Sequence, residues 1–272
     1  MVGQVFEVLN RIAVAGDVQS VWDLATGHFR AAGFARANYG LTRLRAQHSM
    51  GPPEDALYLT TLDRDYARFY FSDGFYAQTP LYRWALENTG CCTWRWVEEA
   101  LLAGHLPESE AQAVRKNAAL GIRAGLTISF PPVGPREKGA LGLMADEGMD
   151  HDAVDAFCAR DGAALQAVAH MMHLRLCQLP HTTRRRTLSP RQREALQWVA
   201  EGKTTQDAAL LMGISPTMVE KHLRLARAAL DVETSAQAVA KATLLRLIFA
   251  ADGSPDAAAQ AAPPLAELAL QG

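Results

Sequence analysis

Residues 188–248 constrain the fold more tightly than any other stretch, because Pro190, Gly202, Gly213 and Pro216 divide them into four helix-length pieces. Proline is tolerated in the first turn of a helix, and glycine suits the left-handed residue just past its end. Ser189 caps the first piece, Pro190 takes its first position, and Gln192 reaches back to complete a capping box. Leu196, Val199 and Ala200 line one face, and Gly202 ends the helix. Thr204 or Thr205 starts the second, with Ala208, Leu211 and Met212 as its apolar face. The tight turn Leu211-Met212-Gly213-Ile214-Ser215 leads into the third, opened by Ser215-Pro216. There Val219, Leu223, Ala226 and Leu230 fall at i, i+4, i+7 and i+11, a single buried stripe. A fourth helix is expected over 235–248, where Ala238, Ala242 and Leu245 offer a face for pairing two such modules.

The buried stripe leaves Thr217, Glu220, Lys221, Arg224 and Arg227 pointing outward. A helix-turn-helix lays its second helix in the DNA major groove, so this face is a candidate contact surface for double-stranded DNA. Thr204 joins it at the start of the preceding helix. The charge balance agrees: residues 181–251 hold 11 Lys/Arg and 6 Asp/Glu, against 16 and 20 in residues 1–180. A basic segment inside a mildly acidic chain is what phosphate contact requires. Glu220 is the discordant residue; it can accept from a cytosine amino group or pair with Arg224. The plainer reading is a small helical bundle with a solvated basic face.

With 272 residues, about half of them apolar, the chain suits two ordinary domains. The expected division is 1–178, a linker over 179–187, the helical module over 188–251, and a loose tail over 252–272. No apolar run reaches the roughly 18 residues of a spanning helix, and the N-terminus lacks a signal-peptide pattern, so a cytoplasmic protein without a membrane partner is expected. Cys91, Cys92, Cys158 and Cys177 form no CxxC pair, and neither a disulfide nor a metal site is expected of them. In the first part, helices are predicted over 5–9, 18–31, 65–73, 81–87, 108–119 and 151–176. Strands are predicted over 36–44, 125–130 and 139–145, the last two as a hairpin around Pro131-Pro132. Helices flanking antiparallel strands make the fold class α+β.

From Leu188 to Thr204, and again from Ile214 to His222, the sequence resembles the C-terminal module of LuxR-type regulators, with Leu196 and Gly202 on hallmark positions and Gln192 where a Glu is usual. The first part lacks the acidic cluster of a phosphorylated receiver. It is similar instead to the autoinducer-binding domain of that family: Tyr66, Tyr70, Thr79-Pro80 and Trp94 follow its spacing, and Gly125-Leu-Thr127 and Gly139–Leu143 resemble two pocket strands. The resemblance implies an N-terminal α/β/α sandwich around an antiparallel sheet, plus a C-terminal all-α four-helix helix-turn-helix domain. It also implies an acyl-homoserine lactone as ligand, no other cofactor, and homodimers on operator DNA with RNA polymerase as a further partner. The helix over 151–176 is a candidate dimer element.

The ligand-binding residues implied are Tyr66, Tyr70, Thr79, Leu81, Trp94 and Gly142. Several depart from the family pattern. Tyr66 stands for the usual Trp, Thr79 for an Asp that accepts from the ligand amide, Gly142 for a Ser or Thr, and Leu62 near a usual Tyr. Three readings follow: a long-chain lactone held by acyl burial, a small molecule without the amide, or a ligand-independent domain whose cavity Tyr66 and Tyr70 fill. An enzyme is the competing class. His28, His48, His105, His151, His170 and His173 are scattered, and no GxSxG, Walker or GxGxxG motif occurs. No catalytic residue is expected, and the acidic run from Asp146 to Asp155 suits a helix start.

Overall fold

The computed structural model describes residues 2–45, 50–51, 55–180 and 187–249. The expected tail over 252–272 and most of the expected linker lie outside them. The chain divides into two compact units between Leu176 and Cys177.

The first unit opens with α1 (Val2–Val14) and α2 (Val18–Ala31). The carboxylate of Asp17 starts α2 by accepting from the Ser20 N–H at 2.8 Å. A five-stranded antiparallel sheet follows, built from β1 (Arg36–Thr42), β2 (Ala56–Thr60), β3 (Gly90–Thr93), β4 (Gly125–Ser129) and β5 (Lys138–Met144) in the order β2-β1-β5-β4-β3. The expected hairpin is β4 with β5. β1 stops two residues early because the Thr42 hydroxyl takes the Leu44 N–H at 3.1 Å. Between the strands lie α3 (Arg64–Ala67), α4 (Pro80–Glu87), α5 (Arg95–Leu102) and α6 (Glu108–Ala119); α7 (His151–Gln178) closes the unit. The helix expected over 65–73 is α3 followed by a wider π-helical turn, Arg68–Ser72. That turn sends Phe69, Tyr70 and Phe71 in three directions: Lys116 sits over Phe69, Tyr66 stacks on Tyr70, and Tyr58 packs on Phe71.

Alternation along the strands divides the side chains between two layers. Ala37, Tyr39, Leu41, Leu126, Ile128, Leu141 and Leu143 are fully buried on one face, against Trp22 and Phe29 of α2 and Leu165, Val168 and Met172 of α7. The apolar positions of α7 that suggested a dimer element are therefore taken up by the domain's own sheet. Centrally, the Tyr39 hydroxyl bonds His173 Nδ1 at 2.8 Å, and the His173 ring stacks on Phe130 at 4.1 Å. A Cβ on Gly139 would lie 2.5 Å from that ring. Burial, then the charges of His170 and Arg43, holds the His173 pKa down to about 4 from the usual 6.5. Below pH 6.5 the unfolded chain takes up a proton that the folded one refuses, so stability falls as pH drops from about 6.5 toward 4. Urea unfolding should be on the order of 2 kcal/mol weaker at pH 5 than at pH 7.5, and His173→Asn should flatten that dependence.

The second unit holds α8 (Pro190–Ala200), α9 (Thr205–Met212), α10 (Pro216–Leu230) and α11 (Ser235–Leu244). Ser189 and Gln192 complete the expected capping box, and Thr204 with Asp207 and Thr234 with Gln237 repeat it. Gly213 caps α9 in the left-handed conformation (φ 65°), which turns the chain into α10. Leu196, Ala208, Met212, Val219, Leu223, Ala226, Leu230, Ala238, Ala242 and Leu245 share one core. Three expectations need correction. Ala200 and Leu211 are exposed, and Ala195 and Ala209 are buried in their place, because each short helix meets the core along a stripe rotated by one position. Ala238, Ala242 and Leu245 cannot pair two modules, since they are at most 2 % exposed inside their own.

Candidate functional site

The sheet face opposite α7 carries a row with one residue from each strand: Thr60, Asn38, Gly142, Thr127 and Cys92. The Asn38 amide accepts from the Thr60 hydroxyl at 2.7 Å and donates to the Tyr66 hydroxyl at 3.3 Å. Thr127 accepts from the Trp94 indole N–H at 2.9 Å. Gly142 lies between them. A Cβ there would meet the Asn38 carbonyl and the Trp94 ring only at 4.0 Å, so glycine leaves a gap in the row. The covering helices are held in place by polar anchors. Arg83 of α4 donates two hydrogen bonds to Glu110 of α6, at 2.7 and 3.0 Å, and the Ser129 hydroxyl reaches the carbonyls of Ala85 and Asn88.

Two cavities share Leu81: the larger lies among α4, α5, α6 and the start of α7, and the smaller lies between the sheet and its covering helices. The larger, about 200 Å³, is bounded by Thr79, Pro80, Leu81, Trp94, Ile122 and His151 among others. The smaller, about 90 Å³, runs past Gly142, Ala140 and Lys138 and is walled by Tyr58, Tyr70, Tyr76 and Tyr82. The six expected ligand residues are thus divided: Tyr70 and Gly142 on the smaller cavity, Thr79 and Trp94 on the larger, Leu81 on both. Tyr66 lines neither of these two: its ring lies on Tyr70 (5.4 Å, 13°) and Asn38 holds its hydroxyl. Thr79 is not free to replace the missing carboxylate. Its hydroxyl caps α4, donating to the Tyr76 carbonyl at 2.8 Å and accepting from the Tyr82 N–H at 3.2 Å. Burial pushes the Tyr66 phenol up to about 12 and raises Tyr70 too, so both stay neutral donors near pH 7.

Sequence reasoning missed Asn38, Tyr58, Tyr76, Tyr82 and Lys138. The tyrosine clustering was a usable signal, since five of the six tyrosines fall between residues 58 and 82. The cysteines are free, and burial raises the Cys91 and Cys92 thiols to about 12 and 11, which makes them poor nucleophiles.

On the helical unit, Thr217, Glu220, Lys221 and Arg224 share the exposed face of α10. Arg227 departs from expectation: half-buried, it donates to the Ser235 hydroxyl of α11 at 2.9 Å. Glu220 also has a partner that was not foreseen, accepting from the Thr205 hydroxyl of α9 at 2.9 Å. Thr204 is exposed, but its hydroxyl is bound to Asp207 at 2.6 Å. Lys203 and Gln206, exposed beside it, are further donors at the start of α9.

A cavity-bearing antiparallel sheet joined in one chain to a capped helix-turn-helix defines a ligand-responsive DNA-binding regulator. Comparisons with known proteins agree. Residues 17–176 match the autoinducer binding domain, and residues 186–230 match sigma-70 region 4. The chain is 30 % identical over 185 residues to the HTH-type quorum sensing-dependent transcriptional regulator RpaR of Rhodopseudomonas palustris, covering 68 % of this chain and 72 % of that one. It is 28 % identical over 195 residues to the transcriptional activator protein TraR of Rhizobium radiobacter, covering 70 % and 79 %. The solved structure of Escherichia coli SdiA shares the fold, with a TM-score of 0.51 at 18 % identity over 91 % of this chain and 98 % of that one. The chain belongs to the LuxR-type quorum-sensing transcriptional regulators, and it is a regulator rather than an enzyme. No helix among the described residues is long and apolar enough to cross a membrane.

Proposed function

We propose that residues 1–178 bind an acyl-homoserine lactone with a long chain, and that a homodimer engages operator DNA through α10 of each copy. The observation that carries the ligand reading is the Gly142 gap in a polar row, which opens onto a cavity along β5 that Tyr70 also lines. The lactone and amide carbonyls need donors, and the neutral Tyr70 phenol and the Asn38 amide stand where the cavity begins. Each methylene buried beyond that point is worth about 0.8 kcal/mol. The two cavities share Leu81 as a wall residue. A long chain would pass from one to the other by displacing that side chain.

On this reading acyl-homoserine lactones should raise the melting temperature of the full-length protein, and more so as the acyl chain lengthens. Thr79→Asp, which retains a helix cap and restores a charged amide acceptor, should gain about tenfold in affinity, the equivalent of roughly 1–2 kcal/mol. Indifference to every chain length removes the lactone. One observation favours a ligand-independent domain instead: the Tyr66 ring is stacked on Tyr70 and its hydroxyl is held by Asn38, so the protein's own groups already satisfy it. On that reading no acyl-homoserine lactone should shift the melting temperature, and Tyr66→Ala should lower the stability of the ligand-free protein.

For the DNA-binding unit, residues 188–251, we assign operator contact to Thr217, Lys221 and Arg224, with Thr204 and Lys203 flanking the groove. Ala236, Ala240 and Leu244 form the exposed small apolar stripe of α11 on which two modules would pair. The relation to a transcriptional activator supports RNA polymerase as a further partner.

A further inference from the structure

Lys138 begins β5 on the cavity side, in line with Ala140 and Gly142. It is 3 % exposed. Its ammonium donates to the Asn88 carbonyl at 2.9 Å, an oxygen that already accepts from the Ser129 hydroxyl at 2.6 Å. An ammonium carries three donors, and no second acceptor for this one occurs among the described residues. The neighbouring charge is Arg45, a second cation. Glu137, next in sequence, is turned to Arg43. Burial and Arg45 hold the lysine down to about 8, which still leaves it mostly charged at neutral pH. Burying an ammonium without a counter-charge is costly, and an alkyl chain laid against it would leave that cost in place.

We propose that this cavity is built for an acyl chain that ends in a carboxylate, which pairs with the Lys138 ammonium at the end remote from Gly142. Four residues of strand separate the two positions, about 13 Å, so the carboxylate sits a full chain length from the lactone. The Tyr58 and Tyr76 hydroxyls, 3.3 Å apart, and Tyr82 border the same cavity and can donate to its second oxygen. The inference rests on the acyl-lactone reading for the head group and on Lys138 alone for the tail.

The test uses full-length protein and three probes in calorimetric titration: octanoyl-homoserine lactone, its 7-carboxyheptanoyl counterpart, and suberate. The carboxylated lactone should bind at least tenfold tighter than the octanoyl one. Lys138→Met should reverse that order, and Lys138→Arg, a control for folding, should preserve it. Tighter binding of the octanoyl lactone, with the same order in Lys138→Met, overturns the assignment and leaves the lactone reading standing. Binding of suberate with neither lactone removes the lactone and upholds Lys138. Silence from all three probes defeats both.

Discussion

Replacing Lys221 and Arg224 together by alanine should lower affinity for duplex DNA by about two orders of magnitude without unfolding the module. Both side chains are exposed on α10, opposite the Val219, Leu223, Ala226 and Leu230 stripe that fixes the helix in its core. Surface changes of this kind move stability by roughly 0.5 kcal/mol or less. A bidentate bond to a base edge is worth about 1–3 kcal/mol, and each phosphate left without its cation should reduce the salt slope by about one. Fluorescence anisotropy on a selected duplex, repeated across salt concentrations, separates the two kinds of interaction. Arg227→Ala is the internal comparison. Its guanidinium is held by Ser235, so it should cost stability more than affinity. Unchanged affinity and salt slope in the double variant would mean that α10 does not enter the groove.

Gly125→Ala should be strongly damaging to the sensor domain. A Cβ at this position would lie 2.3 Å from the Leu143 carbonyl oxygen and 3.0 Å from the Trp94 ring. The first obstacle is backbone of β5 and cannot yield without parting β4 from β5. Trp94 cannot yield either, because its indole N–H is bound to Thr127 and its own N–H to the Gly125 carbonyl. Overpacking of a core costs about 1–3 kcal/mol, and this case belongs at the top of that range or above it. Gly142→Ala is the control: its Cβ has 4.0 Å of clearance, so stability should hold while the cavity loses room for ligand. Urea unfolding of the full-length protein, followed by tryptophan fluorescence, ranks the two. Equal stabilities would show that the strands tolerate a Cβ at Gly125.

The helical module was legible in the sequence almost residue by residue. Its caps, its left-handed glycines and its apolar stripes are local devices, each written within four or five residues, and they act before any long-range contact forms. At Ala200 and Leu211 two neighbours on one short helix compete for the core and only packing chooses between them, and Ala238 is drawn into the module's own core rather than to its surface. The sheet was legible in part. β4 and β5 carry enough apolar residues to announce themselves, whereas the four residues of β3 become a strand only because β4 offers them partners.

By itself, then, the sequence determined two domains, the helix-turn-helix with its basic face, and the family spacing that marks a pocket between residues 66 and 142. Tertiary structure decided what that pocket is. Tyr66 lies outside both cavities, its hydroxyl held by Asn38, 28 residues earlier, and the hydroxyl of Thr79, which lines the larger one, is taken up by a helix cap. Lys138 enters because a strand alternates its side chains between faces, and β1 and β4 fix which face that is. Burial, partner and clearance belong to pairs of residues distant along the chain, and no local pattern encodes them.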